Sequence, residues 1–199
     1  MWMHLKRLAA VLAAGLLLSA CGVNEIPRLD EQVSAAWSQV ENQYKRRADL
    51  IPNLVETVKG YAAQERETLT AIVEARSKVA QMQIPPDILT NRDAMDQFEQ
   101  NQRALGSALS RLLVVVERYP DLKSNQNFLA LQSQLEGTEN RIAVARRDYI
   151  EAVRGYNTEL RTIPGRWWAA LLYPESKVKE NLRFPDQNID QPPRVTFGK

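Results

Sequence analysis

Histidine and cysteine are almost absent from this chain of 199 residues, which holds one of each, His4 and Cys21. One imidazole and one thiol cannot build a Cys/His zinc cage, and any Ser-His-Asp triad would have to use His4. Long apolar runs are missing too. Leu8 to Leu18 gives about 11 uncharged residues, roughly 16 Å of helix against a hydrocarbon core of about 30 Å, which is too short to span. The eight glycines form no phosphate-cradling loop. No Asn-Gly hairpin signal and no alternating strand pattern occurs, which argues against a β-sheet.

What is present begins at the N-terminus. Lys6 and Arg7 precede the apolar run, and Leu18-Ser19-Ala20-Cys21 closes it with small residues before the thiol. That is the pattern of a bacterial lipoprotein signal: residues 1–20 are a signal peptide cut between Ala20 and Cys21, and the Cys21 sulfur carries diacylglycerol. An ordinary secretory signal with a chance cysteine is the plainer alternative. Gly22, where an aspartate would favour inner-membrane retention, predicts outer-membrane sorting in a cell that has one. Cleavage removes His4, leaving no histidine and no free thiol, and so excludes the Glu-x-x-His ligands of di-iron bundles. It also removes Lys6 and Arg7, so the 26 cationic side chains fall to 24 and balance the 24 carboxylates. A neutral body gives no support to nucleic-acid binding. Neither cofactor nor metal is expected.

The body reads as one all-α unit. A short tether, 21–27, leads to a bundle over 28–173, followed by a proline-punctuated tail over 174–199 that is expected to be flexible near its end. Three long helical segments are expected: one from about Arg28 to Met82 with a kink at Pro52, one from an N-cap at Thr90 to Tyr119, and one from about Ser124 to Ile163. Phe128, Leu131, Leu135, Ile142, Ala145, Tyr149 and Tyr156 mark the seam of the third. Short connections make neighbours antiparallel, giving an elongated up-down bundle with a short C-terminal helix over Arg166–Leu172.

Several blocks resemble the LemA family. They are Tyr44-Lys45-Arg46-Arg47-Ala48-Asp49-Leu50-Ile51-Pro52-Asn53-Leu54-Val55, Tyr119-Pro120-Asp121-Leu122-Lys123, Thr138-Glu139-Asn140-Arg141-Ile142-Ala143, Tyr156-Asn157 and Pro193-Arg194-Val195-Thr196-Phe197. The resemblance implies a long antiparallel helical bundle held at a bacterial membrane, and no catalytic activity. The chain departs from the family in two ways. Members typically keep a spanning N-terminal helix, and Ile150 stands where an asparagine often follows the tyrosine.

Polar residues near the apolar seams are the candidate site: Arg46, Arg47, Asp49 and Asn53 around Pro52, with Glu139, Arg146, Tyr156 and Asn157 on the third segment. One reading is a paired network that fixes helix register, with Arg47 or Arg46 joined to Glu139. The other is a pocket for a small ligand or a partner's carboxylate. Trp167 and Trp168, near Arg161, Arg166, Lys177, Lys179 and Arg183, suit anionic headgroups, or else one caps the bundle and the other is half exposed. Three functions compete: an adapter for envelope protein partners, a carrier of lipid or small ligand along the Phe128–Tyr149–Tyr156 seam, and a hydrolase using Glu136 and Glu139.

Overall fold

The computed structural model describes residues 22–183. The signal segment, the Ala20–Cys21 junction and the 184–199 part of the expected tail lie outside the described residues. Within them the fold is all-α, in the order α1 (Glu25–Lys59), α2 (Arg66–Gln81), a 3-10 turn (Ile88–Thr90), α3 (Arg92–Val116), α4 (Pro120–Lys123), α5 (Gln126–Glu159) and α6 (Gly165–Leu172).

The segment expected to be continuous from 28 to 82 is two helices. α1 runs through Pro52, which lies on its exposed face while Ile51 and Leu54 on either side remain buried. The chain breaks at residues 60–65, where no break is expected. Gly60 is a poor helix former, by about 1 kcal/mol against alanine. Tertiary contacts complete the break: Ala62 is fully buried and its N–H reaches the Val58 carbonyl. Glu65 then accepts bonds from the Arg118 guanidinium at 2.9 Å and the Tyr119 hydroxyl at 2.7 Å, which ties the turn to the far end of α3. The N-cap of α3 is Asn91, whose side chain accepts from the Ala94 N–H, rather than Thr90. Asn125 does the same for α5 through the Phe128 N–H.

Four helices therefore make the rod. α5 lies antiparallel to α1, as Leu29 faces Gly155, Trp37 faces Tyr149 and Arg47 faces Glu139. α2 runs back along α3, from Glu65 beside Arg118 to Met82 beside Asn101. α1 and α3 point the same way, with Trp37 against Phe98 and Arg47 against Gln102. The result is an up-down-up-down arrangement in which α2 and α3 cover only part of the longer α1–α5 pair.

Its apolar interior has two parts. The upper core joins Ala48, Ile51, Leu54, Leu105, Leu112, Phe128 and Leu135, with α2 supplying Leu69 and Ile72. The lower core joins Val33, Trp37, Tyr44, Phe98, Ile142, Tyr149 and Tyr156. Burying each large side chain contributes about 1.5–3 kcal/mol, so the two cores together carry the fold. Between them α1 presents Arg47 while α3 presents Glu99 and Gln102, all buried.

Residues 174–183 are not a loose tail where they are described. They run as an extended strap between α3 and α5, and Leu182 enters the lower core. Asn157 grips the strap on both sides, accepting from the Lys179 N–H at 2.8 Å and donating to the Lys179 carbonyl at 2.9 Å. Tyr149 donates to the Glu180 carbonyl, Arg92 to that of Asn181, and Arg146 to that of Arg183. These are bonds to the strap's main chain.

Candidate functional site

The candidate polar residues divide sharply. Arg47 sits four per cent exposed at the junction of the two cores. One of its terminal nitrogens donates to Glu139 Oε1 at 3.1 Å, and the other donates to the Gln102 carbonyl at 2.9 Å and to Gln102 Oε1 at 2.8 Å. Its guanidinium also lies 5.0 Å from the centre of the Tyr44 ring. Arg46, Asp49 and Asn53, expected to gather round the proline, are all exposed and do not enter this network. The reason is helical geometry. Ala48, Ile51 and Leu54 define the inward face, and Arg47 is the one charge in the block beside it.

On α5, Glu139 is half exposed at the rim of the channel between α3 and α5. About two turns further, Arg146 donates to the Tyr44 hydroxyl at 3.0 Å and holds the end of the strap. Tyr156 is fully buried, with the Lys179 ammonium 5.3 Å from its ring centre. Lys179 also pairs with Asp30 at 2.6 Å, so it belongs to the strap's seating rather than to a free cationic patch. Burial pushes the Tyr149 hydroxyl well above the ordinary phenol range, with the Glu180 carboxylate adding to the effect. The Arg92 hydrogen bond holds the Asp96 carboxyl below its usual value.

Glu99 escaped the sequence reading. It is four per cent exposed; one oxygen accepts from the Arg183 N–H at 2.8 Å and the other from Arg103 at 3.0 Å. Gln102 was missed as well. Both fall on the stripe of Met95, Phe98, Leu105 and Leu109, so a polar residue at an apolar register position was the available signal.

Above the strap the channel is open. A groove of about 560 Å³ is lined by Leu109, Leu113, Leu135, Gln132, Glu136 and Glu139. A second recess of about 360 Å³, sharing Gly106, Ser110 and Glu139 with the first, connects it towards Arg146. The groove holds no preassembled reactive pair: Glu139 is engaged by Arg47, and Glu136 accepts from Gln132. Among the described residues no group of three or more His, Cys, Asp or Glu side chains is placed to hold a metal ion. The aromatic seam that a carrier would use is filled by packing, with Trp37 against Phe98 and Tyr149 at ring-centre distances of 5.1 and 5.3 Å.

Trp168 packs against the lower core, whereas Trp167 is 61% exposed. No helix among the described residues is long and apolar enough to cross a membrane.

Comparison with known proteins places this architecture. The family model described as LemA family matches residues 36–197. Protein LemA of Metamycoplasma hominis is 25% identical over 139 residues, covering 70% of this chain and 59% of its own length. Magnetosome protein MamQ 2 of Paramagnetospirillum magneticum is 26% identical over 165 residues, covering 73% and 60%. Magnetosome protein MamQ of Magnetospirillum gryphiswaldense is 24% identical over 164 residues, covering 74% and 60%. The chain spans about 60% of the length of these relatives. With a family model that takes in the Arg47 block, the α5 seam and the strap, the chain belongs to the LemA family.

Proposed function

We propose that this protein is a membrane-tethered helical scaffold of the bacterial envelope, anchored by lipid on Cys21, that receives an extended segment of a protein partner in the α3–α5 groove and performs no catalysis. The observation that carries the reading is the strap. Residues 177–183 lie extended in the lower half of the same channel, held by side chains of α3 and α5 through the strap's main chain. The open upper half offers leucines for apolar side chains and Gln132, Glu136 and Glu139 for main-chain groups. A groove of this kind suits peptide capture, in which backbone bonds give affinity and pockets give selectivity. The absence of histidine after the signal and the satisfied state of Glu136 and Glu139 favour binding over chemistry.

The test is a photo-crosslinking residue placed at Leu113, on the groove wall, or at its neighbour Val114, which is 71% exposed on the outer face. Leu113 should give a discrete adduct with an envelope protein in living cells and Val114 should not. Equal labelling from both positions, or none from Leu113, would refute the groove. Palmitate labelling that survives Cys21→Ala would refute the anchor.

A further inference from the structure

A short surface helix ordinarily turns its polar side outward. α6 is apolar on its outer face as well as its inner one. Trp167 and Leu171, four residues apart and so on one face, are 61% and 73% exposed, and Ile163 in the preceding turn is 64% exposed. The other face, with Trp168 and Ala169, packs on the lower core. The helix is also firmly placed. At Gly165 a β-carbon would lie 2.3 Å from the Glu159 carbonyl oxygen, so only glycine allows α6 to start this close to the end of α5.

The position of α6 says what covers its apolar face. Gly22, the first described residue, rests against α6: a β-carbon there would be 3.6 Å from Trp168 Nε1 and 3.7 Å from Pro164 Cγ. Trp168 Nε1 itself is buried with no acceptor among the described residues. Cys21 is the residue bonded to Gly22 on its N-terminal side. Lipid on Cys21 would therefore lie close to α6, the helix that carries Trp167. Exposed cations sit at this end on Arg161, Arg166 and Lys177, suited to anionic headgroups.

We infer that Ile163, Trp167 and Leu171 form a second membrane contact that enters the boundary between headgroups and acyl chains beside the anchored Cys21. This rests on the Cys21 tether proposed above and adds a fixed orientation to it. An acyl tether alone leaves the rod free to swing, whereas a tether and an apolar patch on the helix beside it hold it at a set angle.

The experiment uses the lipidated full-length protein in vesicles of phosphatidylethanolamine and phosphatidylglycerol. Once Cys21 is acylated, Leu171→Cys provides the one free thiol for an environment-sensitive fluorophore, and Val73→Cys on α2 is the control. The position 171 probe should shift to shorter wavelength and be quenched by brominated acyl chains, Trp167→Glu should weaken that quenching, and the position 73 probe should remain solvent-like. Protein that floats with the vesicles while the 171 probe stays solvent-like would overturn the inference and leave the tether standing. A 171 probe shielded by a second copy, seen as a dimer by sedimentation, would overturn it also. Protein that fails to float would overturn the tether and this inference together.

Discussion

Replacing Glu139 by glutamine removes the charge from the Arg47 pair and leaves a neutral acceptor of the same shape. Breaking a fully buried pair costs about 3–5 kcal/mol, and an exposed pair is worth about 0–1 kcal/mol. This pair lies between, because the Arg47 side chain is 5% exposed and that of Glu139 is 49% exposed. Arg47 also keeps both Gln102 oxygens, so its guanidinium is not stranded. The expected loss is therefore about 1–2 kcal/mol, close to that of one hydrogen bond to a charged group. For a domain of this size that lowers Tm by roughly 3–6 °C. Arg47→Met should remove most of the effect of Glu139→Gln, since the remaining carboxylate is solvated. Thermal unfolding of the two single variants and the double variant, followed by circular dichroism, gives the coupling directly. A Glu139→Gln variant that melts with the parent, or one whose loss persists undiminished beside Arg47→Met, would refute the view that this pair stitches the two cores in register.

Asn157→Ala deletes both bonds to the Lys179 main chain and should release the strap without unfolding the rod; amide exchange should rise over residues 177–183 while α1 and α5 stay protected. Tyr149→Phe removes the donor to the Glu180 carbonyl at 2.7 Å and should cost about 1–2 kcal/mol in denaturant titration. The same residue sets an alkaline limit. Its folded pKa is raised, so the neutral phenol stabilises the fold below the ordinary tyrosine value, and stability falls as pH rises above about 10. Tyr149→Phe should flatten that part of the pH profile, and an unchanged slope would assign it to other groups.

The long third periodic stretch announced α5 plainly, because Leu135, Ile142, Tyr149 and Tyr156 recur every seven residues and all face inward. A pair between Glu139 and either Arg47 or Arg46 was legible from charge complement near a seam, and the structure selects Arg47. The break at residues 60–65 was not legible, since Tyr61, Leu69 and Ile72 keep near-helical spacing across it and the deciding contacts come from Arg118 and Tyr119 in the turn after α3. The strap was invisible for a different reason. Its seating is written chiefly in main-chain N–H and carbonyl groups, which every residue but proline possesses, so no pattern of side chains reveals it.

That manner of seating has a consequence for how the strap tolerates change. Glu180, Asn181 and Arg183 are gripped mainly by atoms that substitution does not alter, so many different sequences fit the same lane provided its length and the buried Leu182 are kept. A saturation scan would find a permissive stretch interrupted at Lys179 and Leu182, flanked by intolerant partners at Asn157, Tyr149 and Glu99. The specificity of the closure is thus encoded in the helices that hold the ribbon, and little of it in the ribbon.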